Sequence, residues 1–200
     1  IQTEWLPDEA EKLALYSMAC RMLAEAGYVL IGIDHFAKAS DPLAVAMVNR
    51  TMRRNFQGYV TDDTEVLLGL GCSSISQFPQ GYMQNSAQIV EYRTKVEAGE
   101  LATARGRAFV GEDIARKQVI DELMCFLEVD LAKIRAQFGL ASGHFAAELA
   151  TLTRGAFTDI VAVDGERIRI TTALRMAARV VAAEFDQYRG VAAGRYSKVA

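Results

Sequence analysis

Two hundred residues, 51% of them apolar, 24% charged and with a formal net charge of −3, are enough for a sizeable core, because about 70% of the unfolded surface can be buried at this size. No apolar run approaches the roughly 18–20 residues of a membrane span, and the acidic start (Glu4, Asp8, Glu9, Glu11) lacks a signal-peptide layout. Mildly acidic charge of mixed sign excludes a general attraction to nucleic acid or anionic lipid, and three prolines with fifteen glycines argue against a linker-dominated chain.

In chain order, Pro7 to Ala26 reads as a helix, with Asp8 and Glu9 in its first turn and Leu13, Tyr16, Cys20 and Leu23 along one face. Gly27 stands where a helix-ending residue belongs. Tyr28 to Ile33 is a short run rich in β-branched residues, the pattern of a strand buried on both faces. Asp41-Pro42 opens a second helix that runs to about Arg53, with an N-cap and an N1 proline. After the loop 55–59, Val66 to Gly71 reads as another buried strand. Helix, strand, helix, strand is the cadence of a parallel sheet or barrel, and two strands make only the end of one. From Ser86 the pattern turns helical: Ser86–Glu97, Glu112–Leu127, Asp130–Phe138 and Ser142–Arg154. Asp164-Gly165 then predicts a type I′ hairpin between Thr158–Val163 and Arg167–Thr171, followed by a last helix from Thr172 to Tyr188. The fold class expected is therefore α/β followed by mainly α. The chain divides into 1–80, the barrel part, and 81–200, a helical domain with a winged-helix-like hairpin near 158–171.

That winged-helix pattern invites a DNA-binding reading, which charge argues against. Between residues 130 and 175, Lys133, Arg135, Arg154, Arg167, Arg169 and Arg175 face Asp130, Glu148, Asp159, Asp164 and Glu166, a nearly neutral set. The would-be recognition helix offers His144, Glu148 and Arg154, a poor reader of phosphate or guanine. A structural or lid role is the better reading, with a non-catalytic binding module as the alternative function.

Three chemical features remain. Asp34-His35, at a strand end, is either an acid/base pair or two satisfied polar groups whose side chains point to opposite faces. Gly69-x-Gly71 with Ser73, Ser74 and Ser76 is either a backbone cradle for a charged ligand or close strand packing. Arg53-Arg54-Asn55-Phe56-Gln57-Gly58-Tyr59 joins two cations, two amides and two aromatics around a glycine, fitting carboxylate pairing and stacking on a heterocycle, or a surface loop with one anchor. Tyr82 to Asn85 carries further amide and phenol groups, for a ligand or for capping the helix at Ser86. Three cysteines, at 20, 72 and 125, fit neither a disulfide framework nor a metal knuckle, and they point to a reducing cytoplasm.

Taken together, Gly32-Ile-Asp-His-Phe-Ala37, Arg54-Asn-Phe-Gln-Gly-Tyr59, Gly69-Leu-Gly-Cys-Ser-Ser-Ile-Ser76 and Tyr82-Met-Gln-Asn85 resemble the C-terminal part of the oxygen-independent coproporphyrinogen III oxidases, a radical S-adenosylmethionine family of haem biosynthesis. The resemblance runs across essentially the whole chain. It implies the tail of an incomplete (β/α) barrel joined to a helical domain that helps cover the substrate. It also implies a [4Fe–4S] cluster, two S-adenosylmethionine molecules, an electron donor, and conversion of two propionates of coproporphyrinogen III to vinyl groups. By motif match, Phe56 and Gln57 fall where the family contacts S-adenosylmethionine, and Ile75 falls where it lines the second nucleotide's pocket. Asp34, His35 and Arg54 are added as catalytic or substrate-facing candidates, a basic side chain near propionates being chemically sensible.

The family's C-x-x-x-C-x-x-C cluster motif is absent, so no metal site is expected in this chain. Beginning at Ile1, the chain reads as a fragment that is inactive alone and self-associates through exposed barrel strands.

Overall fold

The computed structural model describes residues 6–189. The first helix, α1 (Glu9–Glu25), starts on a capping box: Asp8 accepts from the Glu11 amide while Glu11 reaches back to the Asp8 amide. Its ends match the sequence reading, Gly27 taking a φ of +78° just past the helix. Tyr16, Cys20 and Leu23 form its half-buried face, and no residue of α1 is fully buried.

The run after α1 departs from expectation. Tyr28–Ile31 (β1) turns back at once and pairs antiparallel with His35–Lys38 (β2), Ile31 opposite His35. Gly32, at φ +53°, makes that reversal possible. Four apolar residues, two of them β-branched, cannot distinguish a buried parallel strand from one arm of a tight hairpin. Helix α2 (Pro42–Val48) has the expected Asp41 cap and N1 proline, and ends five residues before the expected Arg53.

Residues 53–60 form a second hairpin, β3 (Arg53–Asn55) and β4 (Gly58–Val60), with Phe56 and Gln57 alone in its turn. A third antiparallel unit follows: β5 (Ile75–Phe78), β6 (Gly81–Asn85) and β7 (Thr103–Ala108), with β6 central. Strand β7, Thr-Ala-Arg-Gly-Arg-Ala, escapes sequence reading because it has little apolar character; it is almost wholly exposed and held by backbone pairing. Helix α3 (Ile89–Glu97) starts three residues later than Ser86. Ser86 is buried instead, its hydroxyl donating to Glu91 (2.7 Å) and accepting from the Gln88 amide (3.2 Å).

Val66–Gly71 is not a buried strand. Only Leu67 bridges, to Gln77, while Val66, Leu68 and Leu70 are exposed. The segment lies along β5 with its polar groups tied to side chains: Gly69 N–H to Ser76 Oγ (3.0 Å), and Asn85 Nδ2 to the Gly69 and Gly71 carbonyls (3.0 Å each). Every strand pairing among the described residues is antiparallel, so the parallel pairing read from the sequence is not found there.

The second half follows the sequence closely: α4 (Asp113–Phe126), β8 (Glu128–Asp130), α5 (Leu131–Phe138), α6 (Ala146–Leu152), a 3-10 turn, β9 (Val161–Asp164), β10 (Arg167–Ile170) and α7 (Ala177–Ala183). The predicted hairpin exists, centred on Gly165-Glu166, with Asp164 opposite Arg167. Only Gly165 has positive φ (+59°), which suits a II′ rather than a I′ turn. Strand β8 adds to its outer side, giving the order β8–β10–β9. Arg135 grips Glu166 with two hydrogen bonds (2.8 and 2.5 Å), tying α5 to that turn. The last helix is shorter than Thr172–Tyr188.

One buried cluster runs from Ile31, Ile33 and Tyr59 through Val119, Leu123, Leu131, Ile134 and Phe145 to Ile168, Val181 and Phe185. Hairpins β1–β2 and β3–β4 therefore share a core with the C-terminal helices.

Candidate functional site

Two of the sequence motifs interlock. Gly32 has no side chain because the Tyr59 ring occupies that space: an added Cβ would lie 2.1 Å from its Cζ. The Tyr59 hydroxyl accepts from the Ile33 amide (3.0 Å) and donates to the Met124 carbonyl near the end of α4 (3.0 Å). Burial pushes this phenol up to about 12, with the Asp34 charge adding to the rise and the Ile33 bond and Arg54 opposing it. From the other side, Tyr16 of α1 donates to the Ile33 carbonyl (3.0 Å). Gly58 likewise leaves room for His35, whose Nε2 would be 3.2 Å from an added Cβ. The ring of His35 meets Tyr59 edge-on, 5.0 Å between centroids.

This lock fixes the rungs of β3–β4 next to the turn and leaves the two turn residues themselves free. Asn55 Oδ1 accepts the Gln57 amide (2.8 Å), an Asx turn that shapes the two-residue loop. Phe56 remains 47% exposed and packs edge-on against Tyr82 (5.1 Å), which packs edge-on against Phe109 (4.9 Å). Pairing in β5–β6 places Gln77 opposite Tyr82 and Ile75 opposite Gln84. Side chains alternate along a strand, so Ile75, Gln77, Tyr82 and Gln84 share the sheet face that Phe56 touches. Phe56 and Ile75, far apart in sequence, thus meet the same sheet face, with Gln57 exposed next to Phe56 in the turn.

Asp34 and His35 are not opposed across a strand. Asp34 sits in the β1–β2 turn, off the pleat, and its Oδ1 is 2.7 Å from His35 Nδ1 while Oδ2 receives Arg179 Nη2 (2.8 Å). Arg54 lines an adjoining cleft of about 700 Å³, with Lys117, Asp121, Cys125, Phe109 and Phe126 on its walls. Burial raises the Asp121 carboxyl against the pull of Lys117 and Arg54, and burial pushes the Cys125 thiol up to about 12. Phe56, Gln57, Ile75, Asp34 and His35 lie outside that cleft's lining. The aromatic surface at the hairpin tip and the Arg54 cleft are therefore neighbours, with Phe109 and Gln77 belonging to both.

No family model matches the sequence. Curated relatives do. The chain is 42% identical over 178 residues to the oxygen-independent coproporphyrinogen III oxidase of Bradyrhizobium diazoefficiens, an alignment covering 88% of this chain and 40% of that protein. Against the Paracoccus denitrificans oxidase it is 40% identical over 203 residues, 100% of this chain and 44% of the other. A solved structure, the Escherichia coli coproporphyrinogen III oxidase described as a radical SAM enzyme, matches with a TM-score of 0.85 at 35% identity, covering 94% of this chain and 44% of that one. The chain is homologous to the oxygen-independent coproporphyrinogen III oxidases. It spans about two-fifths of the length of these relatives.

Radical SAM enzymes depend on an iron–sulfur cluster, and the residues of this chain do not fit one. Cys20 lies on α1, Cys72 in the segment before β5, and Cys125 is buried in α4; no group of three or more His, Cys, Asp or Glu side chains suited to a metal ion occurs among the described residues. At the hairpin turn, an exposed aromatic ring packed edge-on against Tyr82, with an exposed amide next to it in sequence, offers chemistry that suits a flat heterocycle. Gly69 has Ile75 backbone atoms within 3.0 Å of an added Cβ, so its role here is close packing. Tyr92 donates to no cradle either; its hydroxyl accepts the Gly71 amide (3.0 Å). Of the two arginines that hold the β1–β2 turn, Arg179 escaped the sequence reading and Arg175 entered it only as one charge of a near-neutral set. Their four-residue spacing within the predicted Thr172–Tyr188 helix was the available signal, although Arg175 lies in the turn before α7.

Proposed function

We propose that this chain is the C-terminal portion of an oxygen-independent coproporphyrinogen III oxidase, and that it supplies one wall of the S-adenosylmethionine site. The longer enzyme would convert two propionates of coproporphyrinogen III to vinyls, giving protoporphyrinogen IX, with an electron donor and two S-adenosylmethionine molecules. The cluster, which would supply the electron that starts the radical chemistry, has its ligands outside this chain, so the chain alone is inactive. Phe56 packs against the nucleotide or methionine part, Gln57 offers a donor and an acceptor, and Ile75 walls a second nucleotide. Asp34 and His35 stand beside Gly58, next to the turn, and Arg54 is a cation for a substrate carboxylate.

The observation that carries this reading is the Phe56–Gln57 tip. The lock of Gly32, Tyr59 and Gly58 presents an exposed aromatic to the sheet face that carries Ile75, with an exposed amide next to it in the turn. Residues 1–80, whose described strands pair only antiparallel, would then abut the cofactor-bearing remainder, and 81–200 would cover the substrate, the two parts sharing one core. No helix among the described residues is long and apolar enough to cross a membrane, and a cytoplasmic site of action fits the cysteine usage. Calorimetric titration of the chain with S-adenosylmethionine tests the reading: binding is expected, weakened about tenfold by Phe56→Ala, the loss of roughly 1.4 kcal/mol of ring contact. No heat of binding would defeat it.

The second reading is a non-catalytic, winged-helix-like interaction module. The order α4–β8–α5–α6–β9–β10 with its three-stranded sheet favours it. Retention of partner binding by a chain carrying Phe56→Ala and Gln57→Ala would support that module over the nucleotide wall.

A further inference from the structure

We infer that α7 is a positioning element for the hairpin site, acting through Arg179 on the tautomer of His35. An ionised aspartate only accepts hydrogen bonds, so the 2.7 Å contact from Asp34 Oδ1 places the proton of neutral His35 on Nδ1. That leaves Nε2 as an acceptor, and Nε2 is the ring atom beside Gly58, next to the Phe56–Gln57 turn. The arrangement holds only while Asp34 keeps its rotamer, and Arg179 is what fixes it, through Oδ2 at 2.8 Å. Arg175, in the turn that leads into α7, donates to the Leu30 (2.9 Å) and Gly32 (3.1 Å) carbonyls and pins the backbone of the same hairpin turn.

The anchor is rigid because α7 is seated in the core by Ala178, Val181 and Ala182. The orientation thus passes from core to Arg179, to Asp34, to His35, and ends in a lone pair beside the hairpin tip, on a ring still half exposed. Metal-binding histidines are oriented by second partners in the same manner; here the recipient is an amino or hydroxyl donor of a nucleoside held at the tip. This last identification rests on the nucleotide-wall reading above, whereas the tautomer does not.

The sequence has only two histidines, so ring ¹⁵N spectra of the full chain, recorded where both are neutral, are simple to assign with His35→Gln. Wild type should show the Nδ1–H pattern at His35. Arg179→Gln should shift it towards Nε2–H, Arg179→Lys should restore it, and His144 should not move in either. A folded Arg179→Gln chain with an unchanged His35 pattern would overturn the inference. In parallel titrations with S-adenosylmethionine, Arg179→Gln should weaken binding about tenfold, the value of one hydrogen bond of roughly 1.4 kcal/mol. A shifted tautomer with unchanged affinity would also overturn the positioning role. Absence of binding by wild type would sink the nucleotide-wall reading and leave the tautomer result to stand or fall by itself.

Discussion

Tyr59→Phe removes one oxygen from the point where the two motifs lock. The ring stays, so the space beside Gly32 and the edge contact with His35 remain filled. Two polar groups lose their partner: the amide of Ile33, 1% exposed, and the carbonyl of Met124, 6% exposed. The Met124 carbonyl belongs to the last turn of α4, where carbonyls have no helical donor. Each buried group left unsatisfied costs about 1–3 kcal/mol, so the substitution should destabilise by roughly 2–6 kcal/mol. For a chain of this size that is a fall in Tm of about 4–24 °C. Differential scanning calorimetry measures it, and hydrogen exchange at the Ile33 amide shows whether the loss is local. A Tm within about 2 °C of wild type would show that water or a rearranged donor replaces the phenol, refuting the claim that Tyr59 completes the lock.

Gly32→Ala should be more damaging than Tyr59→Phe, since it combines positive φ with a 2.1 Å approach to the ring; Tyr59→Ala should partly relieve it, seen as non-additivity in a double-mutant cycle. At alkaline pH, Tyr16 and Tyr59, both raised to about 12 by burial, resist ionisation in the folded chain. Folded values above unfolded ones mean stability is intact below about pH 10 and lost as pH climbs towards 12, so urea midpoints should fall over that window and fall less in Tyr59→Phe. At the acid end, burial alone would raise Glu112, but its bonds to Arg116 and His144 outweigh this and hold it below the usual carboxylate range. That contribution is present above about pH 4.3 and disappears as pH falls; Arg116→Met should cost about 2–3 kcal/mol at neutral pH, by stranding Glu112 and Glu148, and less in acid. Leu68→Lys with Leu70→Lys should reduce self-association through the exposed Val66–Leu70 strip, read by light scattering; equal masses for both proteins would remove that strip from the contact.

The amino-acid sequence alone determined the helical half well. In the first half, too, Asp41 caps α2 and Gly27 follows α1 as read, because capping is local chemistry that a few neighbouring residues complete. It also determined the family, through short motifs whose order carries the likeness. What it left open was pairing. Tyr28–Ile31 has the same residues whether it lies inside a parallel sheet or folds back on His35–Lys38, and β7 has no pattern of its own until β6 lies beside it. The site followed the same rule. Asp34 and His35 are neighbours in sequence, but only the turn between β1 and β2 brings their side chains together, and only the seating of α7 brings Arg179 to them. Local chemistry is written in neighbouring residues, whereas contacts across 145 positions exist only after the core has assembled.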